Sequence, residues 1–345
     1  MGINVSQIDA ADIVDDTGGP RRRRSRIPGA DAMRATAGFQ RGMLVFGAAL
    51  IGLFVLIAIL APVLAPYGFN DDREGGRVFG RLQAPSANHW FGTTSGGEDV
   101  LSQVLYGAQT ALEVIVLAVA ISIVIGVPLG LVSGYLGGWL DRVLVLVTDA
   151  LFAFPSLLLA IIISVTISGG QSTATAGILA AAISITVVYV PQYFRVVRNA
   201  TVAAREETYV EAARALGAPP RVVMVRYVFG NVVQTVPVIA TLNAGDAILT
   251  LAGLGFLGYG IEPSAAAEWG SQLSKAIDDS TNQIWWTATF PGLAIVLIVL
   301  GVTLVGESLN DVLNPLLRTA KITNVVLPKR RRATDEDAPA EGSAA

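Results

Sequence analysis

Thr110-Ala-Leu-Glu-Val-Ile-Val-Leu-Ala-Val-Ala-Ile-Ser-Ile-Val-Ile-Gly-Val-Pro-Leu-Gly-Leu-Val-Ser133 runs for 24 residues with a single charge, Glu113. A helix rising 1.5 Å per residue needs about 20 apolar residues to cross the hydrocarbon of a bilayer, so this stretch reads as a membrane span. Five others read the same way: Gly42–Ala65, Leu140–Val165, Gly177–Val197, Phe229–Leu257 and Trp286–Leu309. The composition of the 345 residues agrees, with 52% hydrophobic, 15% charged and a mean hydropathy of +0.58. Soluble domains carry about 25% charged residues. The expectation is an all-α membrane protein with six transmembrane helices.

Six crossings put both termini on one side, and the basic residues decide which. With the N-terminus inside, 20 of the 24 Lys and Arg fall in the internal segments Arg21–Arg41, Arg142, Arg195–Arg226 and Arg318–Arg332. Only Arg73, Arg77, Arg81 and Lys275 fall outside. Basic residues concentrate on the cytoplasmic side of membrane proteins, so both termini are expected there. The segments Pro66–Gln109 and Gly258–Trp285 are then external and acidic. Tyr67, Trp90, Trp269, Trp285 and Trp286 are placed as an aromatic belt at the outer interface. Met1–Gly19 is polar and acidic, and the apolar stretch after Arg21–Arg24 is too long for a signal-peptide core; the first span is expected to remain as an anchor. The chain divides into a disordered cytoplasmic N-terminus (1–34), a first helix with its external loop (35–109), a five-helix core (110–318) containing a cytoplasmic loop (198–231), and a disordered tail (319–345).

Several function classes are excluded or disfavoured. Cysteine is absent, which removes disulfides, thiolate nucleophiles and cysteine–zinc sites. His89 stands alone, a poor metal ligand set and a better structural hydrogen-bonding group. Lys275, Lys321 and Lys329 are the only lysines, and none follows a glycine-rich phosphate loop, so no cofactor is expected in this chain. No nucleophile–base pair suggests an enzyme. The arginine blocks Arg21–Arg24 and Arg330–Arg332 suit orientation or anionic lipid, not nucleic acid. Asn199-Ala-Thr201 is a chance glycosylation sequon on the internal side.

Four carboxylates lie in or near spans: Glu113, Asp149, Asp246 and Glu307. Each is costly at a helix centre, by about 2.5–3.5 kcal/mol on insertion scales. They could form a proton relay, line a polar cavity, or pair with arginines near the interface; no intramembrane Lys or His completes a relay. Asp246 and Asn243, near Thr250, are the candidates for lining a translocation path. Gly126, Gly130 and Gly134 form two small-xxx-small steps that let helices approach closely, and Gly253, Gly255, Gly258 and Gly260 are read the same way.

The most informative loop is Arg198–Arg226. Residues Thr201–Leu216 suit one helix with Val202, Tyr209, Ala213 and Leu216 on a stripe; Gly217, Pro219 and Pro220 end it, and a second helix begins at Arg221. That stripe must be buried on lipid headgroups or in a protein partner. The small residues Ala212 and Ala213 beside Glu211 favour a protein.

The run Tyr209-Val-Glu-Ala-Ala-Arg-Ala-Leu-Gly217 resembles the Glu-Ala-Ala loop of binding-protein-dependent permeases. The likeness continues through Leu60-Ala-Pro-Val-Leu-Ala-Pro-Tyr67, His89-Trp-Phe-Gly-Thr93, Gly126-Val-Pro-Leu-Gly130, Gly137-Gly-Trp-Leu-Asp-Arg142, Phe154-Pro-Ser-Leu-Leu158, Phe290-Pro-Gly-Leu-Ala-Ile295 and Asn314-Pro-Leu-Leu-Arg318. It is greatest to the second permease of dipeptide, oligopeptide and nickel importers. The sequence departs from the family where Val228-Phe229-Gly230-Asn231 stands for Ile-Leu-Pro-Asn, and where Thr94 and Glu98 replace an Asp and an Arg.

The resemblance implies the type I ABC importer permease fold with a cytoplasmic coupling helix. Tyr209, Glu211, Ala212, Ala213, Arg214 and Gly217 would then couple to a cytoplasmic ATPase, with Glu211 held by Arg214 or by the ATPase. It also implies a homologous second permease, ATP-binding cassette subunits that hold ATP and Mg, and an external solute-binding protein. Short peptides are the implied cargo, with nickel or another small solute as the alternative, and a proton-coupled secondary transporter as the competing class.

Overall fold

The computed structural model describes residues 39–74, 77–168 and 173–313. The proposed disordered termini, Asn314–Arg318 and both arginine blocks lie outside them. The regular structure of the described residues is helical apart from a two-residue antiparallel pairing of β1 (Arg73–Glu74) with β2 (Arg77–Val78) and an isolated bridge between Thr93 and Asp99. The helices are α1 (Phe39–Leu64), α2 (Val100–Leu136), α3 (Gly138–Phe152), α4 (Ser156–Ser168), α5 (Ala174–Arg205), α6 (Thr208–Ala215), α7 (Pro220–Phe256), α8 (Trp269–Thr281) and α9 (Trp286–Leu313). Of these, α1, α2, α5, α7 and α9 are each long and apolar enough to cross a membrane.

The third expected span, Leu140–Val165, is not one straight helix. It breaks at Ala153–Pro155 into α3 and α4, bent by 94°. Pro155 has no N–H to donate, and its ring drives Phe154 out of the helical region. Together the two helices are long and apolar enough for one crossing. The end of α2 lies beside the end of α5, where Arg205 Nη1 donates to Gly134 O and Tyr135 O at 3.2 and 3.4 Å. At the other face Ser164 Oγ of α4 donates to Tyr259 O, which follows α7. The chain therefore runs from one end of the bundle to the other through α3 and α4, and counting this pair as one span brings the five long helices to six candidate crossings.

The densest packing joins α2 to α5, and glycine permits it. A Cβ at Gly126 would lie 2.6 Å from Tyr193 Cβ, one at Gly130 2.6 Å from Phe194 O, and one at Gly134 2.7 Å from Arg198 O. Real side chains do not tolerate such approaches, so the small-xxx-small steps are a packing seam. Tyr189, Tyr193 and Phe194 of α5 are buried in this core.

The irregular segments 65–99 and 257–268 are pinned by specific side-chain bonds. Asp99 caps α2 by accepting from Ser102 N and Ser102 Oγ at 2.8 and 2.9 Å, and its other oxygen lies 2.9 Å from His89 Nδ1. The lone histidine thus has the structural hydrogen bond expected of it. Two of the tryptophans assigned to an aromatic belt are internal anchors instead. Trp269 is buried, donates to Val104 O at 3.1 Å and meets Phe54 edge-on, while Trp286 donates to Thr93 O at 3.1 Å. Trp90 and Trp285 do stand exposed. Hydropathy alone does not separate an interfacial indole from a buried one, because both need one apolar end and one donor partner.

Glu268 caps α8 from a fully enclosed position, accepting from Gly270 N and Ser271 N at 2.7 and 2.8 Å. Burial pushes its carboxyl up to about 7, partly opposed by those two N–H donors. A carboxyl whose folded pKa exceeds its ordinary value of 4.5 stabilises the fold fully below about 4.5 and loses that contribution as pH rises through about 7. The linkage amounts to about 3 kcal/mol across that window. The purified protein should therefore melt at a higher temperature at pH 5 than at pH 8, and Glu268→Gln should flatten the difference; an unchanged pH dependence in the variant would remove Glu268 from the account.

Candidate functional site

The segment 198–231 holds a separate short helix. The single helix expected over Thr201–Leu216 is interrupted: α5 stops at Arg205, Glu206 and Glu207 form a break, and α6 restarts at Thr208. The buried face of α6 also differs from the expected stripe. Val210 and Ala213 turn inward, whereas Tyr209 is half-exposed and Leu216 is 88% exposed. The break rotates α6 relative to α5, and a periodicity carried through it selects the wrong face. Ala212 stays outside, so of the two small residues only it remains available to a partner.

The end of α6 is built as the residues imply. Gly217 has φ +82°, its N–H donates to Arg214 O at 2.9 Å, and Ala218 N–H donates to Ala213 O at 3.1 Å. These two bonds form the Schellman motif, which satisfies carbonyls left open at a helix terminus. A Cβ at Gly217 would meet nothing within 4 Å, so the requirement for glycine is conformational and not steric. Pro219 and Pro220 then start α7, earlier than Arg221 and well before the span start expected at Phe229. The helix continues through Gly230, passing a π-helical turn at Val223–Val228 and a 3-10 turn at Val233–Thr235. Such turns inside longer helices are frequent at functional sites.

The expected Glu211–Arg214 pair is not formed. Arg214 instead places its guanidinium 5.6 Å from the Tyr135 ring centroid at the end of α2, a cation–π contact. Glu211 is exposed and, among the described residues, its carboxylate makes no hydrogen bond or ion pair. Tyr209 Oη accepts from Asn231 Nδ2 at 2.7 Å, and the same amide donates to Tyr227 O at 3.0 Å. This bond ties α6 to α7 across an open cleft of about 530 Å³ between α5 and α7.

Arginines at the C-terminal end of α5 organise the surroundings. Arg198 holds Asp141 through two bonds of 2.5 and 2.7 Å, with Ser133 Oγ at 2.5 Å completing the carboxylate. Such bidentate pairs are strong and geometrically specific. Arg195 pairs with Asp149 at 2.9 Å and covers the Phe152 ring. Asp149 is therefore an ion-pair member. Glu113 and Glu307 are exposed in this chain, Glu113 accepting from Gln109.

The path candidates divide. Asp246 is exposed, and Tyr189 Oη of α5 donates to its Oδ2 at 2.7 Å while standing 3.3 Å from Thr250 Oγ1. Asn243 is buried, its Nδ2 without a hydrogen bond. Reasoning from residue type missed Tyr189, Asn231 and Arg198. A tyrosine inside an apolar span was the available signal for the first, while the others are ordinary in sequence.

Two family profiles cover most of this architecture. Residues 126–319 match the binding-protein-dependent transport system inner membrane component, and residues 39–85 match the N-terminal TM domain of oligopeptide transport permease C. The chain belongs to this family and is a multi-pass membrane permease of a binding-protein-dependent ABC importer, with the type I permease fold. It is 38% identical over 278 residues to the dipeptide transport system permease protein DppC of Alkalihalophilus pseudofirmus, covering 80% of this chain and 86% of that one. It is 38% identical over 282 residues to the glutathione transport system permease protein GsiD of Escherichia coli and of Shigella flexneri, covering 81% of this chain and 89% of each.

Proposed function

We propose that this chain forms one half of an ATP-driven path for short peptides and receives its drive through α6. The observation that carries this reading is α6 itself: a free-standing helix with Glu211, Ala212 and Leu216 exposed. Three fastenings hold it to the bundle, namely Arg214 on α2, Asn231 on α7 and the Gly217 turn. An apolar leucine presented to water on a rigid helix suits insertion into a partner's cleft. The fastenings would carry a displacement of α6 into two crossings.

Partner cassette subunits bind and hydrolyse ATP with Mg, and this chain is not an enzyme. A homologous second permease completes the path, and an external binding protein delivers cargo to the face built by Asp99, Glu268 and the two buried tryptophans. Closure of the ATPases would shift the spans between inward- and outward-facing states. The peptide assignment draws on the dipeptide and glutathione named for the relatives, both of which are peptides.

Reconstitution with the ATPases, second permease and binding protein should give ATP-dependent uptake of dipeptides. Uptake by this chain alone, driven by a proton gradient, would establish the secondary-transporter class instead. Orientation is tested in the same cells on the cysteine-free background. A membrane-impermeant thiol reagent should label Ser86→Cys and spare Ser25→Cys; the reverse pattern would invert the topology.

A further inference from the structure

Asp246 lies ten residues from either end of the regular helix Val236–Phe256 and ten from the C-terminal end of the crossing helix α7, which is about 15 Å along the axis. Its carboxylate is exposed, while the tyrosine that holds it is fully buried. The bond from Tyr189 Oη fixes the orientation of the carboxylate but leaves its charge in place. No arginine, lysine or histidine pairs with it among the described residues. An unneutralised charge at that depth is expensive against lipid, and such groups face a bundle interior or a water-filled path.

Two further observations locate a receiving site. The exposed side of the helix around Asp246 is otherwise apolar, formed by Leu242, Leu249 and Phe256. Binding sites for small solutes commonly combine apolar walls with few convergent polar groups. Asn243, three residues from Asp246 and so a neighbour on the helix surface, is buried with its amide beside the Tyr193 hydroxyl, which adds a second polar group to this stretch of the helix.

We infer that Asp246 receives a cationic amine of the translocated solute, with Tyr189 as the residue that positions it. Within the proposed peptide reading, on which this rests, that amine is the free α-ammonium of the peptide. Side chains of varied size would lie along the leucines, so one charge anchor would serve many cargoes.

The test uses the whole transporter with Leu242→Cys, one helical turn from Asp246, in a chain that has no cysteine of its own. A cationic methanethiosulfonate reagent should modify this site about tenfold faster than an anionic reagent of similar size, as expected where a carboxylate raises the local cation concentration. Adding Asp246→Asn should abolish the preference. Dialanine should protect the cysteine, and N-acetyl-dialanine should not. The inference is overturned if the preference survives Asp246→Asn, if both peptides protect alike, or if neither charged reagent reacts. It is also overturned if Asp246→Asn releases the second permease, since Asp246 would then pair with a basic side chain of that subunit. Labelling is read independently of transport. Absence of ATP-dependent uptake by the wild-type complex, with the charge preference intact, would sink the peptide-importer reading and leave the amine site standing.

Discussion

Gly217→Val is expected to abolish ATP-driven uptake while leaving the membrane bundle folded. Gly217 sits at φ +82° in the Schellman turn that ends α6. The left-handed conformation costs a residue with a β-carbon about 1–2 kcal/mol, and β-branched valine is among the worst suited to it. The surrounding space is open, so the chain would relieve the strain by giving up the turn, and α6 would lose its angle to α7. Glu211→Lys reaches the same outcome by another route. Glu211 has no partner within the described chain, so reversing its charge leaves this fold unaltered and acts only on what docks there.

Both variants should retain delivery by the binding protein and lose ATPase co-purification and uptake. Normal uptake with normal co-purification in both would show that α6 is not the coupling element. Gly217→Asn, which tolerates the left-handed region better, should recover part of the activity lost in Gly217→Val.

Gly130→Leu should have the larger effect on stability. A β-carbon there would approach Phe194 O to 2.6 Å and Val197 Cβ to 3.0 Å, and the first is backbone, which cannot rotate away. Overpacking a close-packed interior typically costs about 1–3 kcal/mol and occasionally more. Here the whole α2–α5 seam must open, which also stretches the Arg198–Asp141 pair and the bonds from Arg205 to the end of α2. Thermal unfolding of the purified complex should shift sharply downward and the chain should accumulate poorly. Gly230→Ala, where no atom lies within 4 Å of the added carbon, is the matched control and should be near neutral. Equal stability of Gly130→Leu and wild type would mean that the seam is looser than its geometry indicates.

The helical crossings were legible because the hydrocarbon thickness imposes a length and a polarity that each segment must meet alone. The Gly217 stop and the Gly126–Gly134 steps were equally legible, since they depend on local conformation or on side-chain size; the Glu-Ala-Ala run was legible only through its family resemblance. Other features needed neighbours. The 94° break at Pro155 shows in sequence as a proline, but proline also sits within α2, α5 and α9 without such a bend; what surrounds each one decides. The inward face of α6 followed from a break at Glu206–Glu207 that a helical period runs straight past.

By itself the sequence determined a multi-pass helical membrane chain, the place of the short helix that Gly217 ends, and the absence of a phosphate-binding loop and of cysteine chemistry. Tertiary structure alone decided which charges are paired. It joined Arg198 to Asp141 across 57 residues and Tyr189 to Asp246 across another 57. It also placed Asn231 on Tyr209 and buried Trp269 against Val104. The physical reason is that spanning and turning are settled segment by segment. The fate of a charge or an indole in a membrane depends on which helix the folded bundle sets beside it.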